Sequence, residues 1–183
     1  MTALQRFRDG SAGPTTILFI ICVIITFALA GVYQMTEPTI EQRGIDAINE
    51  AMAQVLEGAD TFTQVNAVFP DGKEEGEKVL SVYKADNGAG YTVRAATKGF
   101  GGLVTFMIGM DANGGVTGIK VLDHSETPGL GTKITNIDYL DKYSGQVDPN
   151  KVDNITGASY SSRALKKAVA LAQQAYKVAK GAN

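Results

Sequence analysis

Residues 10–36 form a stretch of 27 residues without one charged side chain. Its centre, residues 15–33, is 19 residues of mostly Ile, Leu, Val, Phe and Ala. About 20 apolar residues in a helix cross the ~30 Å hydrocarbon core of a bilayer. A buried helix of a soluble domain rarely goes so long without charge, so the run reads as a transmembrane helix. Arg6 and Arg8 precede it, and the next cation is Arg43. Positive flanks stay in the cytoplasm. The expected organisation is a cytoplasmic N-terminus (1–14), a transmembrane helix (15–33) and an extracytoplasmic domain (34–183).

A cleaved signal peptide is the competing reading. Ala28-Leu29-Ala30 fits the small-x-small cleavage pattern, and residues 17–27 fit an h-region. The apolar run continues through Val32 and Tyr33 with no polar segment, which favours a retained anchor. Cys22 has no lipobox before it and reads as a buried small hydrophobe.

The anchor explains a misleading average. A mean hydropathy of -0.02 suggests a soluble protein, but the apolar residues are concentrated in one run. Without Arg6, Arg8 and Asp9, residues 34–183 carry 15 Lys+Arg against 18 Asp+Glu, a net charge of -3. That argues against nucleic-acid binding, which favours basic surfaces. A single Cys excludes an intrachain disulfide and any multi-Cys metal or iron–sulfur site within this chain. One His and no Trp thin the catalytic choices further.

Pro38 is expected to break the chain after the membrane exit. Ile45, Ile48, Met52, Val55 and Leu56 then recur at helical spacing over residues 41–57, with Gly58 as C-cap. Residues 79–84 and 91–97 read as strands joined near Asn87-Gly88, and 103–110 and 116–122 as a second pair. Asp111-Ala112-Asn113-Gly114-Gly115 has hairpin chemistry. The fold class is therefore α+β, an antiparallel sheet packed by helices. The last helix puts Leu165, Ala168, Val169, Ala172, Ala175, Tyr176 and Ala179 on one face, with Ser161 or Ser162 as N-cap.

Two loops stand out. Residues 124–134 combine Pro128 with Gly129 and Gly131, a stiff irregular loop of the kind that carries binding. Residues 153–162 read Asp-Asn-Ile-Thr-Gly-Ala-Ser-Tyr-Ser-Ser ahead of the last helix. A helix N-terminus offers free N–H groups and a positive dipole end to a phosphate. Gly157 and Ala158 allow close approach, and Thr156, Ser159, Ser161 and Ser162 supply hydroxyls. An ordinary serine-rich cap fits the same residues. Asn154-Ile155-Thr156 also spells a glycosylation sequon, read here as coincidence.

Asp153, Thr156, Gly157, Ala158, Ser159 and Ser161 match, position by position, the flavinylation motif of the covalent FMN-binding domain family, which this chain resembles. Lys98-Gly99-Phe100-Gly101-Gly102 and the run from His124 to Gly131 resemble the same family, in the same order. The resemblance spans essentially the whole chain. The family includes the G subunit of Rnf ion-translocating complexes and the C subunit of sodium-pumping NADH:quinone oxidoreductases, and the short length looks more like the former.

The resemblance implies FMN joined through its phosphate to the hydroxyl of Ser159, where most members have Thr. It implies a phosphate cradle of Gly157, Ala158, Ser161 and Ser162, with Thr156 beside it. Thr127, Gly129, Leu130 and Gly131 would lie along the flavin with backbone N–H groups available to it, and Glu126 would orient their loop. Gly99, Gly101 and Gly102 would allow close packing, and Lys98 would offer a positive charge. No metal is implied. The implied protein is an electron-transfer subunit of an Rnf-type ferredoxin:NAD oxidoreductase, with other membrane subunits and a flavin transferase as partners.

Other functions fit less of the chain. A surface-reductase flavin domain is the nearest variant. A hydrolase using Ser159 or Ser161 would have only His124 as base, and the Gly-x-Ser-x-Gly elbow is absent. A cofactor-free anchored interaction module would leave three ordered motifs unexplained.

Overall fold

The computed structural model describes residues 12–181. The chain forms two compact units, Met1–Ala47 and Ile48–Asn183. The first helix, α1, runs unbroken over Ala12–Val55. Its segment Pro14–Gln34 has a mean hydropathy of 2.7 and is long and apolar enough to cross a membrane. Large apolar side chains such as Phe19, Phe27 and Leu29 are exposed along it. Cys22 is on the surface of the same span.

The helix also passes through Pro38, where a break is expected from the sequence. Proline removes one backbone donor and costs ~3 kcal/mol in a helix interior. Helical sequence on both sides carries the chain across that single lost bond. The amphipathic pattern read over 41–57 is thus the C-terminal part of α1. It ends at Val55, and Gly58 takes a left-handed φ of +80° just beyond.

The second unit is built on a five-stranded antiparallel meander, β1 (Phe62–Gln64), β2 (Lys78–Ala85), β3 (Gly90–Lys98), β4 (Leu103–Asp111) and β5 (Val116–His124). Strands β2 to β5 lie where alternation and turn chemistry put them. β1 has no counterpart in the sequence pattern, because three residues are too few to show a period of two.

Alternation gives the sheet two buried faces. Val82, Val93, Phe106 and Ile108 face α3 (Ser159–Gly181). All seven residues of the apolar face expected for this last helix are buried. On the opposite face Met107 packs with Ala51, Met52 and Val55 at the end of α1. Between β5 and α3 the chain makes short turns: a 3-10 turn at Gly131–Thr135, the single-turn helix α2 (Ile137–Leu140), and 3-10 turns at Asp141–Tyr143 and Pro149–Lys151.

Candidate functional site

Helix α3 begins at Ser159, earlier than the N-cap expected at Ser161 or Ser162. Gly157 holds a φ of +82°, a left-handed conformation that favours glycine. The turn closes with Ala158 N–H on the Ile155 carbonyl at 3.0 Å and Ser162 N–H on the Ala158 carbonyl at 2.9 Å. The N–H groups of Ser159, Tyr160 and Ser161 precede the first intrahelical donor, Ser162 N–H. This segment therefore presents donors at a helix start, with the Ser159 side chain exposed beside them.

The neighbouring hydroxyls are already engaged. Ser162 is fully buried, and its Oγ accepts the Ile155 N–H at 3.0 Å, which ties the loop to the first turn. Ser161 is buried and donates its hydroxyl proton to Glu126 Oε2. Thr156 and Ser159 carry the exposed aliphatic hydroxyls of the segment.

Glu126 is the point where three loops meet. It is only 5% exposed. Oε1 accepts the Gly101 N–H at 3.1 Å, Oε2 takes the Ser161 hydroxyl, and its own N–H donates to His124 Nδ1 at 3.4 Å. A Cβ at Gly99 or Gly131 would collide with this carboxylate. These glycines leave room for an acid side chain, a different reason from packing against a flavin. His124 serves to hold the Glu126 backbone.

Within the 127–132 loop, Gly129 N–H donates to Thr132 Oγ1 at 2.9 Å and Leu130 N–H to the Thr127 carbonyl at 3.2 Å. Those two donors serve the loop itself, contrary to the expectation that they face a ligand.

A cavity of about 330 Å³ opens at the start of α3. Gly157, Ala158, Ser159 and Ser161 line one side, and Glu126, Thr127, Leu130 and Gly131 the other. Two aromatic residues complete it, Phe100 and Tyr160. Neither is a candidate from sequence, although each adjoins a motif residue. Lys98 and Gly99 line an adjacent cavity of about 380 Å³, together with Tyr160, Arg163, Lys167 and Glu74. Thr156, Ser162, Gly101, Gly102 and Gly129 line neither cavity.

An ion-pair cluster forms part of the lining of this second cavity. Lys167 Nζ donates to Glu77 Oε1 at 2.9 Å and also binds Glu74. Burial opposes ionisation of Glu77. Hydrogen bonds from Lys167 and from the backbone N–H groups of Glu74 and Lys98 outweigh it and hold the carboxyl below its ordinary range. For Lys167 burial likewise acts against the charge, and its two carboxylate partners raise the ammonium above its ordinary range.

The segments that build this site are shared with known proteins. The FMN-binding domain family matches residues 99–174, which include β4, β5, the Glu126 loop and the start of α3. The G subunit of the Na(+)-translocating ferredoxin:NAD(+) oxidoreductase complex of Acetobacterium woodii is 32% identical, over 87% of this chain and 88% of that one. The G subunit of the proton-translocating ferredoxin:NAD(+) oxidoreductase complex of Clostridium ljungdahlii is 29% identical, over 91% and 92%. A crystal structure of NqrC from Shewanella oneidensis is similar at a TM-score of 0.48 and 19% identity, over 71% of this chain and 74% of that one. The chain belongs to the FMN-binding domain family, in the branch that holds the G subunits of ion-translocating oxidoreductase complexes.

Proposed function

We propose that this chain is a membrane-anchored electron-transfer subunit that carries FMN through a phosphodiester at Ser159 Oγ, within an ion-translocating ferredoxin:NAD oxidoreductase complex. The observation that carries this reading is the exposed Ser159 hydroxyl at the first residue of α3, inside a cavity of about 330 Å³. That volume lies within the ~300–1,000 Å³ range of small-molecule sites. The residues fit the group: an alcohol for attachment, first-turn N–H groups for a phosphate, and an apolar wall for a ring.

FMN supplies the redox chemistry when bound, and the protein supplies place and electrostatics. Ser159 offers the attachment oxygen. The N-terminus of α3 directs its N–H groups and dipole toward the phosphate. Leu130 and Gly131 form the opposing wall. Glu126 holds that wall against Ser161. A covalent tether suits a domain facing the cell exterior, where a dissociated cofactor is lost by dilution.

Pro14–Gln34 serves as the anchor, with the N-terminus cytoplasmic by the Arg6 and Arg8 bias. The span contains no Asp, Glu, Lys, Arg or His. Ion pathways use such groups, so translocation belongs to partner membrane subunits. A separate flavin transferase installs the cofactor.

The test is the intact mass of the full chain, purified in detergent after co-expression with a flavin transferase. The expected result is a mass gain matching an FMN phosphodiester on the Ser159 peptide, with in-gel flavin fluorescence lost in Ser159→Ala. A wild-type chain free of flavin in its native membrane overturns the function. A Ser159→Ala chain that keeps covalent flavin overturns the attachment site alone.

A further inference from the structure

The pair Phe100 and Tyr160 is unexplained by the packing of the domain. The two residues are 72% and 60% exposed. Large aromatic side chains left in water mark sites of contact. The two come from different segments, the 98–102 loop and the first turn of α3, yet they meet edge to face at 6.1 Å and 64°. Both line the cavity that holds Ser159. Tyr160 also lines the adjacent cavity. The Arg163 guanidinium lies over the Tyr160 ring, 4.4 Å from its centroid. That cation–π contact fixes the plane of the ring.

We propose that Tyr160 and Phe100 form an aromatic wall against the flavin ring, with Arg163 as the positioning residue for Tyr160. The inference rests on the FMN reading above. Tyr160 follows the attachment residue directly, and the short ribityl phosphate chain keeps the flavin ring near Ser159 Oγ. The aromatic residues lining the Ser159 cavity are this pair, and the Gly101–Glu126 hydrogen bond anchors the loop that carries Phe100. A flat conjugated ring system gains most from offset or edge contacts with other aromatic rings. The two rings therefore offer the flavin a face that the backbone and hydroxyls of α3 cannot.

The test reads flavin emission, because a phenol in contact with an excited flavin quenches it by reversible electron transfer. The full chain is purified in detergent after loading, and emission is expressed per covalently bound flavin, so partial loading does not disturb the readout. Tyr160→Leu is expected to raise emission severalfold. Tyr160→Phe keeps the ring and removes the phenol, so emission rises while the visible circular dichroism of the flavin stays as in wild type. Arg163→Gln raises emission by less than Tyr160→Leu, since the ring is then free to swing. Phe100→Leu reduces the visible circular dichroism. It lies outside the modified segment and decides the matter where Tyr160→Leu is not loaded. Unchanged emission per flavin in Tyr160→Leu, or unchanged circular dichroism in Phe100→Leu, overturns the wall and assigns these rings to protein contact instead. A wild-type chain without flavin overturns the parent reading, a distinguishable result.

Discussion

Ser161 donates its hydroxyl proton to Glu126 Oε2 across 35 residues of sequence. Both side chains are buried, at 1% and 5% exposure. The bond joins the start of α3 to the loop after β5, and the second carboxylate oxygen continues to Gly101. One acid side chain thus fixes the mutual position of three glycine-containing segments around the Ser159 cavity.

Removing that acid leaves two donors without partners. Glu126→Ala is expected to destabilise the domain by about 2–4 kcal/mol: the orphaned Ser161 hydroxyl, which is buried, costs ~1–3 kcal/mol, and the lost bond to Gly101, an exposed residue, ~0.5–1.5 kcal/mol. Glu126→Gln should cost about 1 kcal/mol, because the amide oxygen still accepts from Gly101 and the Ser161 hydroxyl can turn to accept from the amide nitrogen. Urea denaturation of the full chain in detergent measures both. Equal losses would mean that the carboxylate is not the junction described.

Two glycines of one loop should respond differently to alanine. At Gly129 the φ of +76° is left-handed and a Cβ meets nothing within 4 Å. Gly129→Ala should therefore cost only the conformational strain, about 1–2 kcal/mol. At Gly131 a Cβ would collide with the Glu126 carboxylate and lie 3.0 Å from Ser161 Oγ. Gly131→Ala should cost more and reduce flavin loading as the Glu126–Ser161 bond parts. Thermal melting and covalent flavin content, taken on the same samples, separate the two effects.

The sequence announces the parts of this site but not their joints. The apolar face of α3 and the strands β2 to β5 follow from periodicity, which is local. So do the glycines and the serine run, and the three loops do come together. Ser161 reads equally well as a phosphate donor, because its commitment to Glu126 depends on a contact 35 residues away. The value of Phe100 and Tyr160 is hidden for the same reason: exposure is a property of the fold. The start of α3 shifts because Ala158 and Gly157 close the turn before the serines that look like caps. The break expected at Pro38 fails because the cost of one proline is small beside a long helical run.

The Glu77–Lys167 pair predicts a defined pH window. Glu77 has its carboxyl held below 4.5 in the folded state. Its stabilisation is complete above the unfolded carboxyl value and disappears as pH falls through the lower folded value. Lys167 is held above 10.5, so its share is complete below that value and lost as pH rises through the folded one. Glu77→Gln should melt below wild type at neutral pH, with the gap closing in acid below pH 4.5. A gap that stays constant into strong acid would show that Glu77 contributes through packing alone.

The end of α1 rests on the sheet through an unusually close backbone contact. Gly109 of β4 pairs with Gly118 of β5. A Cβ at Gly109 would collide with the Val55 carbonyl, and one at Gly118 would lie 3.1 Å from Val55 Cα. The same carbonyl belongs to the last turn of the helix, which lacks intrahelical donors, and it accepts the Thr117 hydroxyl. Thr117→Val should remove that cap for about 1 kcal/mol. Gly109→Ala must push backbone from backbone, and overpacking of this kind costs ~1–3 kcal/mol. Thermal denaturation should therefore rank Gly109→Ala as the more damaging, with the proposed flavin attachment at Ser159 unaffected in both, since neither residue lines the cavity. A Gly109→Ala chain as stable as wild type would mean that Ala51, Met52 and Val55 can slide over Met107 without loss.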